Sequence, residues 1–264
     1  MTSRAAAFFD LDKTVIAKSS TLVFGKPFYK GGLVNRRAVL KSSIAQFVYL
    51  LQGADADSMD KMRDYLKVLC ADWPVEQVKA IVAETLTELI TPLVYAEAVT
   101  LIAEHRAAGR DVVIVSSSGE EVVGPIGDLL GVDQVIATKM TVQDGRYTGE
   151  IDFYAYGEGK ATAVRALAAE RGYDLAASYA YSDSATDLPM LALVGHPTAV
   201  NPDKALRKAA EANDWPVAVF RKPVRLRDHL PAPPSPPAIG AGAAVALAVG
   251  VGWYVGRRVR RSAP

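Results

Sequence analysis

Residues 5–14 read AAAFFDLDKT. An unbroken apolar run closed by an acid is the pattern of a short strand buried on both faces. Asp10 and Asp12 follow it at once, two residues apart. Two carboxylates in one cleft repel each other. A divalent cation relieves that repulsion, and oxygen-only donors suit magnesium. One carboxylate can then attack a phosphoryl phosphorus, and the other can pass a proton to and from oxygen. Taken alone, the same residues are equally well read as an Asp-rich turn after a strand.

The rest of the chain alternates strand and helix patterns around this segment. A helix is expected over 95–108, stopping at Gly109. DVVIVSSSG (111–119) is an apolar, β-branched run ending in a Ser/Gly turn, and EVVGPIGDLLG after it is helical. Residues 135–152 alternate around Asp144-Gly145, which predicts a hairpin. GKATAVRALAAERG (159–172) predicts a helix. SYAYSDSATDLPML (178–191) predicts strand, acidic loop and helix, and TAVNP (198–202) and WPVAVF (215–220) are further strands. Such alternation predicts an α/β fold, a Rossmann-like parallel sheet with crossover helices. Residues 1–15 and 92–230 form its core. Residues 16–91 break the pattern. They carry helical spacing over 33–52, 58–70 and 75–90, with Asp57 or Ser58 as a cap, and read as an inserted helical cap domain.

The polar groups of interest fall at the C-terminal ends of expected strands, the edge where open α/β sheets bind ligands. Ser116 offers a hydroxyl, and the turn Ser117–Gly119 offers backbone N–H groups. Lys160 opens a helix with a point charge. Asp183 and Asp187 lie four apart in a strand-to-helix loop. Phosphoryl transfer needs donors and positive charge around the equatorial oxygens. Each group also has a plainer reading: Lys160 as a solvated lysine, Asp183 or Ser184 as a helix cap. Their ordered recurrence at four strand ends favours a common site.

Four segments resemble the motifs of the haloacid dehalogenase superfamily of phosphatases: FFDLDKTV, VVIVSSSG, GEGK and YSDSATD. The likeness runs from about residue 5 to 205. With the insert after the first motif and the DGRYTGEI hairpin, it is similar to the phosphoserine-phosphatase-like branch. The resemblance implies a magnesium-dependent phosphomonoester hydrolase working on a small phosphorylated substrate. Asp10 would be the nucleophile. Asp12 would be the general acid/base, its main-chain carbonyl on magnesium. Thr14 would orient the catalytic loop. Ser116, the Ser117 amide and Lys160 would hold the phosphoryl group. Asp183 would ligate the metal, and Asp187 would support it directly or through water. One departure stands out. That branch carries a glutamate a few residues after the first motif to recognise the substrate amino group, whereas this chain has Lys18 and Ser19. A lysine repels an ammonium, which argues against phosphoserine. Lys18 or the Arg36/Arg37 pair would suit a more anionic substrate.

Bulk composition narrows the alternatives. The 264 residues carry a net charge of +1, which gives no electrostatic case for a nucleic-acid partner. Cys70 is the single cysteine, so no internal disulfide can form, and three scattered histidines fit no metal spacing. The N-terminal apolar run is too short for a secretory signal, so a cytoplasmic catalytic body is expected. PAPPSPP (231–237) reads as an extended linker. Residues 238–256 are uncharged and end on RRVRR, with Trp253 and Tyr254 at belt positions, which predicts a single membrane-anchoring helix in 238–264. Two further functions are compatible with the motifs: phosphoryl transfer to an acceptor other than water, and a non-catalytic membrane-tethered adaptor.

Overall fold

The computed structural model describes residues 4–34, 64, 67–221 and 223. Its centre is a seven-stranded sheet of order β4-β3-β2-β1-β5-β6-β7. The strands are β1 (Ala6–Asp10), β2 (Asp111–Gly119), β3 (Gln134–Gln143), β4 (Arg146–Phe153), β5 (Tyr179–Ser182), β6 (His196–Val200) and β7 (Val217–Ala218). All neighbours are parallel except β3 and β4, which form the expected antiparallel hairpin. Asp144 and Gly145 both have positive φ at its tip, the backbone a tight two-residue hairpin turn demands. WPVAVF pairs over two residues only, as the edge strand beside β6.

β1 is buried along its whole length. Its alternate side chains divide the core: Phe9 joins the apolar cluster on one face, Phe8 that on the other. This is why AAAFF is apolar without alternation. The helices are α1 (Ser20–Lys30), α2 (Val75–Ile90), α3 (Ala96–Ala107), α4 (Glu120–Leu130), α5 (Glu158–Arg171), α6 (Leu188–Leu191) and α7 (Lys204–Ala212). α4 and α5 end on left-handed glycines, Gly131 and Gly172.

The insert expected over 16–91 contributes α1 and α2, which pack on each other, and α2 also packs on α4. The β3–β4 hairpin braces the entry to α2. Val75 N–H donates to Gly145 O, and the Tyr147 backbone exchanges hydrogen bonds with Asp72 and Trp73. α1 was not expected from the pattern, since Gly25 and Pro27 interrupt its helical spacing. Of the helix expected over 33–52 only Leu33 and Val34 are described, bonded back to Phe28 O at the end of α1; its remaining residues, the cap residues Asp57 and Ser58, Arg36/Arg37, the Pro-rich linker and the segment 238–264 lie outside the described residues. Among the described residues no helix is long and apolar enough to cross a membrane.

Candidate active site

Register places three functional positions side by side. Asp10 pairs with Val115, so Ser116 is one residue beyond it on β2. Phe9 pairs with Tyr181, so Ser182 lies level with Asp10 on β5. β1 is also where the chain switches from building one side of the sheet to the other, the point where α/β sheets open a ligand crevice.

Lys160, on the first turn of α5, reaches into this crevice. Its Nζ donates to Asp10 Oδ1 at 2.6 Å and to Asp187 Oδ2 at 2.8 Å. Asp187 Oδ2 also accepts from Ser182 Oγ at 2.7 Å. Asp10, Lys160 and Asp187 are all buried. Burial opposes the charge on Lys160, but the two carboxylates outweigh it and hold the ammonium above its ordinary pKa. Burial pushes the Asp10 carboxyl well up; Lys160 opposes the rise, and Asp187 and Asp183 add to it. The Lys160 ammonium is the charge best secured here, because it has two carboxylate partners.

Asp183 is raised to about 6, by burial first, with Lys13 opposing and Asp187 adding. It begins the loop after β5. Ser184 caps the short turn Ala185–Asp187, accepting from Thr186 N–H, so the capping role falls to Ser184 rather than Asp183. The Asp183 carbonyl accepts from Asp203 N–H, and Asp203 in turn caps α7 and binds Ala185 N–H. The acidic loop is thus fixed from its C-terminal side.

The Asp12 loop is fixed by main chain. Leu11 O accepts from Val15 and Ile16 N–H, and Lys13 adopts a left-handed backbone at the turn. Asp12 Oδ1 accepts from Ser20 N–H at 2.8 Å, at the start of α1. Burial raises the Asp12 carboxyl above the usual range and this N–H opposes it. A carboxyl held up in this way can keep a proton to deliver. Thr14 is fully buried, and its Oγ1 makes no hydrogen bond. The loop-orienting role expected of it therefore has no hydrogen bond behind it.

On β2, Ser116 is buried and its Oγ accepts from Ser118 N–H. Ser20, Ser182, Thr138 and the hydroxyl of Ser118 also line the site, and no sequence motif gave them a role. Ser118 Oγ lies 2.8 Å from Ser20 Oγ, joining the phosphate-side turn to α1. Thr138 Oγ1 donates to the Ser117 carbonyl at 2.7 Å. Polar residues buried beside a reactive strand end were the available signal. Lys18 is exposed, and Ser19 is the residue before α1.

Charge balance gives a test of metal fit. Asp10, Asp183 and Asp187 are buried carboxylates, and Lys160 is the buried ammonium beside them. Three negative charges against one positive leave an excess equal to one divalent cation. The donor set is hard oxygen, which suits magnesium. Among the described residues no three His, Cys, Asp or Glu side chains gather as a ready-made cage. The candidate donors are instead the carboxylates of Asp10 and Asp183 with the main-chain carbonyl of Asp12. Asp187 spends Oδ2 on Lys160 and Ser182, which leaves it a supporting part.

A sheet with a switch point at an aspartate, a lysine reaching it from the third segment and an acidic loop after the fourth defines a class, and the sequence agrees: residues 7–192 match the haloacid dehalogenase-like hydrolase family. The chain belongs to that family. It is 61% identical over 261 residues to the inhibition of morphological differentiation protein of Streptomyces azureus, covering 97% of this chain and 94% of that one. It is 62% identical over 255 residues to a protein of Mycobacterium tuberculosis named as a probable phosphatase, covering 96% and 88%. In fold it resembles a phosphoserine phosphatase solved as a phospho-aspartyl intermediate analogue, with a TM-score of 0.59 and 21% identity over 86% of this chain and 97% of that one.

Proposed function

We propose that this chain is a magnesium-dependent phosphomonoester hydrolase that works through an aspartyl-phosphate on Asp10. The observation that carries the reading is the buried Lys160 ammonium bonded to both Asp10 and Asp187 at the switch point of the sheet. Family membership supports the hydrolase class. The M. tuberculosis relative, named as a probable phosphatase, supports phosphate esters as substrates. The phosphoserine phosphatase solved as a phospho-aspartyl intermediate analogue supports a phospho-aspartyl species.

In the proposed reaction a carboxylate oxygen of Asp10 attacks phosphorus in line with the ester oxygen. The P–O ester bond breaks, and Asp12 gives its proton to the departing oxygen. Water then attacks the phosphorus of the aspartyl-phosphate while Asp12 takes a proton from it. The Asp10 carboxylate and inorganic phosphate are the products. Lys160, Ser116 and the Ser117 amide hold the equatorial oxygens through both steps. Asp10, Asp183 and the Asp12 carbonyl would hold magnesium, with Asp187 behind them. Magnesium bound there supplies positive charge against the phosphoryl oxygens.

A small phosphorylated molecule is the expected substrate. Lys18, exposed just before α1, supports one with no ammonium next to the ester. The uncharged 238–256 run, closed by Trp253, Tyr254 and four arginines, supports a membrane anchor; basic residues stand on both sides of it, so they do not orient it. The test is a panel of phosphate esters, including an aryl phosphate and phosphoserine, assayed with magnesium and with chelator. Turnover that requires magnesium and is weak on phosphoserine supports the reading. Absence of turnover on every ester contradicts it.

A further inference from the structure

β2 and β3 run in parallel register up to Ser116 and Ala137, and then the ladder jumps, with Gly119 opposite Thr138. Ser117 and Ser118 are the residues left over in this bulge. Their backbone groups lose ladder partners at the place where the proposed phosphate donors sit. Thr138 replaces one of them. Its Oγ1 donates to the Ser117 carbonyl at 2.7 Å and accepts from Ala155 N–H at 3.2 Å. Thr138 and Ala155 are both buried.

We propose that Thr138 is a positioning residue that sets the aim of the phosphate-holding turn after β2 and ties it to the segment delivering Lys160. This rests on the phosphatase reading above. The peptide between Ser117 and Ser118 is gripped at both ends, its carbonyl by Thr138 Oγ1 and its N–H by Ser116 Oγ at 3.2 Å. That plane anchors the C-terminal side of Ser117 and narrows its ψ; the Ser117 N–H lies in the preceding peptide, which Asp10's neighbour strand β2 holds through Ser116 paired with Ala137. The second bond reaches the loop before α5. Two residues after Ala155, Gly157 takes a positive φ, and Lys160 follows on the first turn of the helix. One hydroxyl thus sets the spacing between two groups that would share a single phosphoryl group. A valine there keeps the shape of the side chain and removes both bonds. A serine keeps the hydroxyl.

The test uses the full chain as Thr138→Val and Thr138→Ser. Three quantities are read: kcat and KM on a turned-over ester, the inhibition constant of inorganic phosphate, and amide hydrogen exchange at Ser118 and Ala155. Thr138→Val is expected to raise KM and the phosphate inhibition constant about 10-fold, a fraction of the effect of deleting a direct oxyanion donor. It is also expected to speed exchange at both amides, while Thr138→Ser stays within about 2-fold of wild type. Wild-type constants and exchange in Thr138→Val overturn the proposal. Equal loss in Thr138→Ser also overturns it, because the methyl group and not the hydroxyl would then matter. Should Thr138→Val not fold, Thr138→Ala, which also removes both bonds, takes its place with the same expected losses, and wild-type constants and exchange in it overturn the proposal. A wild-type chain that neither hydrolyses esters nor binds phosphate defeats the phosphatase reading, and the exchange experiment then still reports whether Thr138 holds the turn.

Discussion

Lys160 Nζ lies 2.6 Å from Asp10 Oδ1, across a sequence separation of 150 residues. The pair joins the end of the first strand to the start of a helix late in the chain, and Asp187 shares the same ammonium. Neither carboxylate has another buried cation among the described residues.

Lys160→Met should therefore cost both stability and activity. It leaves two buried carboxylates facing each other without a cation, a loss of about 3–5 kcal/mol. Urea unfolding at pH 7.5 measures it. The loss should shrink as pH falls, because burial already favours a proton on the Asp10 carboxyl. Turnover should fall at least about 100-fold.

Gly159, beside Lys160, is a severe steric site. A Cβ there would clash with the Tyr154 backbone carbonyl, and a carbonyl cannot move aside as a side-chain tip can. Gly159→Ala should destabilise by about 2 kcal/mol or more and move Lys160. Thermal unfolding and turnover should fall together.

Asp183 gives a pH signature. Its folded-state pKa is raised from 3.8 to about 6, so the folded state binds the extra proton more tightly than the unfolded one. Its contribution to stability is present below about pH 4 and is lost as pH rises through about 6. In chelator, Asp183→Asn should remove that decline, a difference of up to about 2–3 kcal/mol at pH 7. Magnesium at about 100 times its Kd should restore roughly 2.7 kcal/mol to wild type and not to Asp183→Asn. Chemical unfolding across pH checks both.

His105 carries the opposite sign. Arg110 Nε donates to its Nδ1, so the ring proton is on Nε2 and faces Tyr181 Oη at 2.8 Å. Burial, and then Arg110, lower its pKa from 6.5 to about 4. Stability from the neutral ring is present above about pH 6.5 and is lost as pH falls toward about 4. His105→Phe should flatten that slope by about 1–2 kcal/mol, after allowance for solvent screening. Unfolding curves between pH 4 and 7 measure it.

Much of this site was readable in the sequence because each part is local. Asp10, Ser116, Lys160 and Asp183 all follow a short apolar run or open a helix, and those patterns need no knowledge of distant residues. Strand β2 and helix α2 are found where the pattern predicts them, since β-branched runs and long amphipathic stretches carry their own period. The contacts that aim the groups were not readable. Ser20 meets Ser118 over 98 residues, and Thr138 meets Ser117 only because a bulge frees that carbonyl. α1 was hidden by Gly25 and Pro27, which local propensity counts against a helix that tertiary packing nonetheless holds. Thr14 is the reverse case: the motif gave it a role, and the fold gives its buried hydroxyl no hydrogen bond.

In the proposed reaction phosphorus passes through Asp10. Acid quench of the full chain during turnover with magnesium, followed by peptide mass mapping, tests it most directly. Wild type should carry a single phosphoryl group on Asp10, and Asp10→Asn should show neither phosphoryl group nor turnover. Turnover by Asp10→Asn at the wild-type rate, or a phosphoryl group on another residue, contradicts it.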